Sequence, residues 1–502
     1  MWDSSHTDLG IAKPMLINDI YGWARIQPQK IAVIHEDTAL DYATFARAIE
    51  ANRQFLARQQ LPRGKVAVIV ALNLLDSWII DIAFRPFGMN TIAVQSVEFA
   101  EDLQIRDIAC VVVTELEAKQ HSFGGSTFAG AKIIVIPAVI YADVHHGDVP
   151  SPLVGNAPAG GQILCTSGTT GSFKKLIQEG NNEDERLAAK ARTHGFDRGT
   201  VHHQIHLALW SGAANKRSAA VWHVGGTNVM DQRKGIGERF FDHSPNRCVL
   251  IPRVFNELIA SQAERNPRIN CKLEVGGGLP QANIAKKALQ ICNEALVQYA
   301  ASELNVVPMR CDIDGEQSVF WFSAANDRTI EVVDEAFAEC PPGHVGMLRI
   351  KLGEFDCTYY LDDPDATSTA FRDGYFYSGD LAVKRADGRI RILGRVADTI
   401  NLQGQKLAVA PIEQRLQRYL QVEEVCLFAH LTDEGQDELI IAIQSNSMPS
   451  QAKLDQIRRE FHSFEKIRFP VLREFPRTEA GYQKVRRIVL RDLVANEKLT
   501  AE

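Results

Sequence analysis

Short runs of Val, Ile and Ala recur along the first part of the chain, alternating with stretches whose apolar residues fall at helical spacing. A helical stretch opens residues 16–60. Ile31-Ala32-Val33-Ile34 reads as a strand, and residues 40–45 as a strand turning into a helix that carries Phe45, Ile49 and Phe55 toward residue 60. Val66-Ala67-Val68-Ile69-Val70 is a buried-strand run followed by a helix over 77–87. Ile92-Ala93-Val94, Cys110-Val111-Val112-Val113 and Lys132-Ile133-Ile134-Val135-Ile136 continue the series. Strand runs separated by helical stretches predict layered α/β architecture. A segment rich in Pro and Gly, 150–161, then leads to another apolar run, Ile163-Leu164-Cys165. Beyond about residue 400 a smaller set follows: a helix over 411–419, strands over 422–428 and 438–444, and a helix over 451–463.

At 502 residues the chain exceeds one ordinary core, so two or three subdomains are expected. A hydrophobic fraction of 45% and a charged fraction of 23% are those of a soluble globular protein. The net charge of -7 argues against nucleic acid as the main partner. The nine cysteines are scattered and never form C-x-x-C, which favours buried thiols in a reducing compartment over disulfides or a zinc site. Neither a basic leader followed by an apolar stretch nor a run near the ~18 residues of a membrane span is evident, so a cytoplasmic location is expected.

Chemistry first shows in Thr166-Ser167-Gly168-Thr169-Thr170-Gly171-Ser172-Phe173-Lys174-Lys175, which follows the Ile163-Leu164-Cys165 strand. Glycines permit positive φ and close approach of backbone to a ligand. Successive free N–H groups make an anion nest, the hydroxyls add donors, and Lys174 adds a point charge. A flexible surface turn is the plainer reading of such a loop taken alone. The order is not that of a Walker loop. It resembles S-G-T-T-G-x-x-K of the acyl- and aryl-adenylate-forming superfamily, with Phe173 where that family usually has proline.

Further segments resemble the family in its order. Val275-Gly276-Gly277-Gly278-Leu279-Pro280 matches the loop that lies against adenine. Tyr299-Ala300-Ala301-Ser302-Glu303 resembles Y-G-x-T-E. There the resemblance implies that Tyr299 stacks on adenine, Ser302 bonds a phosphate oxygen and Glu303 ligates Mg²⁺. Gly374 to Asp380 resembles G-[WY]-x-x-[TS]-G-D, which gives Asp380 the ribose hydroxyls. Gly394-Arg395-Val396-Ala397-Asp398 matches the segment joining a large and a small domain, with Arg395 on the ribose and Gly404 lining a thiol channel. Pro411-Ile412-Glu413 favours the acyl-CoA synthetase branch. The ending Pro476-Arg477-Thr478 to Arg487 resembles P-R-T-x-x-G-K-[IV]-x-R, but Tyr482 follows Gly481. A two-residue insertion would make Lys484 the catalytic cation; otherwise Lys484 is a surface lysine. Trp210 and Gly276 fall beside the acyl pocket, and Trp210 reads equally as core packing. His202, His203, His206 and His223 suggest a metal but lack a ligand pattern, so they are read as packing or solvent-facing residues.

The resemblance implies a large N-terminal domain of layered α/β subdomains over 1–394 and a small mobile α+β domain over 395–502, hinged near 395–400. It implies activation of a carboxylic acid with ATP and Mg²⁺, then transfer to the thiol of coenzyme A. Absence of acid between His202 and Thr227 argues against an α-amino acid, leaving an apolar or aromatic one. A free-standing enzyme that charges an acyl or aryl carrier protein is the first alternative, and a non-catalytic adenylate-binding regulator the second.

Overall fold

In the computed structural model the Val/Ile runs are parallel strands. The structure describes residues 15–495 apart from 95, 121–122, 124–127, 139–143, 155–157, 168–172, 206–208, 210, 232–238, 263–267, 281, 315–318, 397–398, 403–404, 432–436, 462–463, 465 and 478–484. The chain forms two compact units, one of residues 1–168, 172–319 and 352–368, the other of 169–171, 320–351 and 369–502. Among the described residues no helix is long and apolar enough to cross a membrane.

In the first unit, one sheet orders Lys132–Ile136, Ile108–Thr114, Val66–Val70, Asn90–Val94, Gln162–Ser167 and Phe173–Gln178. All neighbours are parallel except the last pair. Val66–Val70 is buried along its whole length, as expected of a central strand covered on both faces. A second sheet orders Met309–Asp312, Cys292–Tyr299, Ile269–Val275, Arg247–Leu250, Val201–Ile205, Thr227–Asp231, Ile31–His35 and Thr38–Asp41. Helices fill the unit's core. Asp41 caps Tyr42–Ala57 by accepting from the Thr44 amide, which turns the chain from strand to helix. Trp222 of helix Gly212–His223 meets Phe45 and Trp78 at ring centroid distances of 5.0 and 4.9 Å.

In the second unit an antiparallel sheet contains Ile330–Val333, Val345–Lys351, Tyr375–Lys384, Phe371–Arg372 and Ile390–Arg395. Asp387-Gly388 turns the hairpin between the last long pair, with Gly388 at φ 84°. Further on, Glu424–Leu431 pairs antiparallel with Asp437–Gln444. Period-two alternation divides them between two small cores. Val425, Leu427, Leu439 and Ile441 face helices Val409–Leu420 and Gln451–Glu460. Cys426, Phe428, Ile440 and Ala442 face Leu490 and Val494 of helix Arg487–Ala495.

Candidate active site

Parallel strands of an open α/β sheet leave their carboxyl ends free for ligand, and the first unit gathers its polar residues there. Leu250, Val275 and Val297 lie side by side near the ends of their strands. The glycine run Gly276-Gly277-Gly278 and Tyr299 follow directly. Gly277 has φ 80°, which favours glycine there, and a Cβ on Gly276 would come within 3.0 Å of Gln298 Nε2, so that side chain would have to give way. Gly277 and Gly278 are exposed, Leu279 and Tyr299 half-buried, and Ala300 exposed. Tyr299 is therefore the end of a strand, with the Ser302-Glu303 turn just beyond.

The turn is held from three sides. Tyr360 Oη donates to Glu303 Oε1 at 2.6 Å, and the Cys357 amide donates to the Glu303 carbonyl at 2.8 Å. Lys216 Nζ donates to the carbonyls of Ser302 (2.8 Å) and Leu304 (3.0 Å). Gly212 lies so close that a Cβ there would be 3.0 Å from Ser302 Oγ. Glu303 is only 7% exposed. Burial pushes the Lys216 ammonium below the usual lysine range, which makes its two carbonyl partners the more important.

The hydroxyl-rich segment joins the same neighbourhood. Strands Gln162–Ser167 and Phe173–Gln178 form a hairpin with Thr166 opposite Lys174 and Ser167 opposite Phe173. Gly168, Thr169, Thr170 and Gly171 lie outside the described residues. Phe173 stacks edge-on against Phe99 at 4.9 Å, and Lys175 Nζ donates to the Leu103 carbonyl at 2.9 Å. Both fasten the hairpin. Cys165 bridges to Ser211, whose Oγ caps helix Gly212–His223 by accepting from the Ala214 amide. Lys174 Nζ stands 4.8 Å from the Tyr360 ring centroid, a cation–π contact. Lys174, Tyr360, Glu303 and Ser302 thus form a connected array, with Thr166 paired beside Lys174. Tyr360, Lys216 and Gly212 carry no local sequence signal and were not expected.

In the second unit, Asp380 and Arg395 are cross-strand partners. Arg395 Nε lies 2.9 Å from Asp380 Oδ1, and Arg395 Nη1 donates to the Ser378 carbonyl at 2.6 Å. Asp380 is buried, while the Arg395 side chain is 43% exposed. Gly379, at φ 74°, lets the backbone turn between Ser378 and Asp380. Arg477 and Val485 form a backbone bridge, and the Arg486 amide donates to the Pro476 carbonyl at 2.8 Å, so a closed stem brackets 478–484. Glu413, from the Pro411-Ile412-Glu413 motif, pairs with Arg487 at 2.8 Å and accepts from the Leu427 amide at 2.7 Å. Trp210, Gly404, Tyr482 and Lys484 lie outside the described residues.

The histidines separate by environment. His202 and His203 are buried, with Nδ1 against Asn228 Oδ1 (3.2 Å) and the Phe240 carbonyl (3.1 Å). Burial lowers them to about 3 and about 4, so both are neutral packing groups near neutral pH. His206 lies outside the described residues, and His223 sits at a helix end in contact with Asp19.

No family model matches the chain. Pseudomonine synthase PmsE of Pseudomonas entomophila is 25% identical, over 95% of this chain and 83% of its own length. A 4-chlorobenzoate–CoA ligase of an Arthrobacter species is 22% identical, over 94% of each chain. The o-succinylbenzoate CoA synthetase MenE of Bacillus subtilis, in complex with an acyl-adenylate intermediate, superposes with a TM-score of 0.76. That alignment has 18% identity and covers 97% of this chain and 98% of the synthetase. The same synthetase in complex with ATP and magnesium ion also gives 0.76, at 18% identity over 95% and 99% of the two chains. Fold along the whole chain, together with sequence relatives of near-complete coverage, supports the adenylate-forming superfamily as the group this protein is similar to.

Proposed function

We propose that the protein activates an apolar or aromatic carboxylic acid with ATP, forming an acyl-adenylate, and passes the acyl group to the thiol of coenzyme A. The observation that carries this reading is the array of Lys174, Tyr360, Glu303 and Ser302 at the carboxyl ends of the strands. Relatives and fold neighbours that are CoA ligases and CoA synthetases support it.

In the first half-reaction a carboxylate oxygen bonds to the α-phosphorus of ATP as the bond from that phosphorus to the bridging oxygen breaks, releasing pyrophosphate. Negative charge spreads over the phosphate oxygens, so fixed donors there lower the barrier. Thr166, Ser167, Thr169, Thr170 and Ser302 supply hydroxyls, Gly168 and Gly171 backbone amides, and Lys174 a cation. Lys484 is assigned the cation between the acid and the α-phosphate. Glu303 fits a magnesium ion: it is a buried carboxylate whose Oε1 is fixed by Tyr360. The ion, when bound, neutralises charge on the phosphates. Tyr299, Ala300 and Gly276 to Leu279 are assigned to adenine, and Asp380 and Arg395 to the ribose.

In the second half-reaction the thiol loses its proton to solvent, its sulfur bonds to the acyl carbon, the acyl carbon–oxygen bond of the mixed anhydride breaks, and AMP leaves. Gly404 is assigned to the thiol channel, Trp210 and Gly276 to the acyl pocket. The small domain over 395–502, hinged near 395–400, would carry Lys484.

Pyrophosphate release from Mg·ATP, measured over aryl, fatty and dicarboxylic acids with and without coenzyme A, tests the proposal. Release with one acid class, stimulated by coenzyme A and lost in Lys484→Ala, is the expected result. A second reading, in which a carrier protein supplies the thiol, is supported by likeness to pseudomonine synthase PmsE, a relative named as a synthase and not as a CoA ligase. Release indifferent to coenzyme A would identify it. Silence across the panel with ATP still bound would indicate the non-catalytic regulator.

A further inference from the structure

Three helix ends meet in the first unit, away from the residues assigned to the reaction. Asp19 lies in the first turn of Leu16–Ile26, Asp184 in the first turn of Glu183–His194, and His223 in the last turn of Gly212–His223. One ligand atom from each falls within 4.8 Å of the other two. His223 Nδ1 is 2.8 Å from Asp19 Oδ2. We propose that Asp19, Asp184 and His223 form a binding site for a divalent ion of the zinc class, which fastens these three helices together.

Acids at helix starts and a histidine at a helix end are each favourable without any ion, so the charge pattern alone decides nothing. A second observation does. Asp184 Oδ1 is fully buried and has no hydrogen-bond partner among the described residues. A carboxylate oxygen left so is costly unless something positive reaches it. Among the described residues, neither Asp19 nor Asp184 pairs with a lysine or arginine. The nearby acid Glu183 is already satisfied, by Arg85 Nε at 3.0 Å and the Leu16 amide at 3.0 Å.

The donor set decides the class of ion. Imidazole nitrogen with two carboxylates suits zinc and its neighbours better than Mg²⁺ or Ca²⁺, which prefer all-oxygen shells. Tetrahedral bonds of ~2.0–2.2 Å hold ligands roughly 3.3–3.6 Å apart, so ligand atoms up to 4.8 Å apart must close by roughly 1.2–1.5 Å while the His223–Asp19 pair at 2.8 Å opens slightly. The side chains of His223 and Asp19 are 18% and 21% exposed, which leaves a path for the ion and for a water as fourth ligand. The Trp23 Nε1 bond to the His223 carbonyl, at 3.0 Å, holds the helix end in place.

The test uses the full chain stripped with a chelator, then titrated with Zn²⁺ by calorimetry and with Co²⁺ by visible absorption. The expected result is one ion per chain, Co²⁺ d–d bands without a thiolate charge-transfer band, and a raised unfolding midpoint. Asp184→Asn and His223→Gln should each weaken the ion by at least the roughly 100-fold that loss of a supporting partner costs in metal sites. Asp19→Asn provides a third variant should one of these fail to fold in the stripped form. Equal binding by wild type and variants, or a Co²⁺ spectrum dominated by thiolate, would overturn the assignment.

Discussion

Glu303 has two oxygens in different circumstances. Tyr360 donates to Oε1, and Oε2 receives no hydrogen bond from any described group. Tyr360→Phe keeps the ring under Lys174 and removes only the donor. A hydrogen bond to a charged group contributes about 1.5–3 kcal/mol, so pyrophosphate release should fall by about 10–100-fold. Because the lost bond orients an ion ligand, the Mg²⁺ concentration for half-maximal rate should rise while the unfolding midpoint stays within a degree or two. An unchanged Mg²⁺ dependence would remove Tyr360 from the site. The paired histidines give a second expectation at this scale. With Nδ1 hydrogen occupied by Asn228 or the Phe240 carbonyl, a second proton would sit on a buried Nε2 that has no acceptor among the described residues. The unfolded chain protonates both below about pH 6.5, while the folded chain resists to about 3 and about 4. Acidification therefore favours unfolding, by about 4 kcal/mol for the two groups between pH 7 and 5. Denaturant midpoints across that range measure it, and His203→Gln should remove about half.

The turn from Tyr299 to Asn305 depends on an element distant in sequence, helix Gly212–His223. Lys216→Met preserves length and apolar stem but leaves the Ser302 and Leu304 carbonyls without their donor. We expect a loss of about 2–4 kcal/mol in stability and a far larger loss of pyrophosphate release than Ser302→Ala produces. Equal effects of the two variants would show that Ser302 acts without the help of the helix. This dependence also explains what sequence made legible. The Val66–Val70 run and the alternation through Val425, Cys426, Leu427 and Phe428 could be read because each residue's burial follows from its own position. Strand Phe173–Gln178 could not. Its two lysines break the apolar pattern, yet Lys175 is buried and bonded to the Leu103 carbonyl. Tyr360 lies 57 residues from the glutamate it holds, and no local pattern encodes such a contact. Tyr299-Ala300-Ala301-Ser302-Glu303, readable by itself as a helix end, proved to be the end of a strand and a turn.

At the scale of the whole molecule, the residues assigned to the reaction are distributed over both compact units, and the reaction has two halves that need different groups. Adenylation brings an anionic acid against an anionic phosphate, so a cation at the point of attack matters most there. Thiolysis starts from a neutral acyl carbon in a mixed anhydride and has no such demand. If Lys484 is that cation, Lys484→Ala should lower acid-dependent pyrophosphate release by about 100–1,000-fold, the range seen for one preorganised charge donor. The same variant, given preformed acyl-adenylate and coenzyme A, should make thioester at close to the wild-type rate. Tyr482→Ala should leave both halves within a few-fold. Both candidate positions fall in sequence between Arg477 and Val485, the residues that form the stem's backbone bridge. Equal impairment of both halves in Lys484→Ala would mean that the substitution had disturbed the stem or its neighbours and not the chemistry. Full adenylation in that variant would return Lys484 to the surface and leave the attacking carboxylate to be met by another cation.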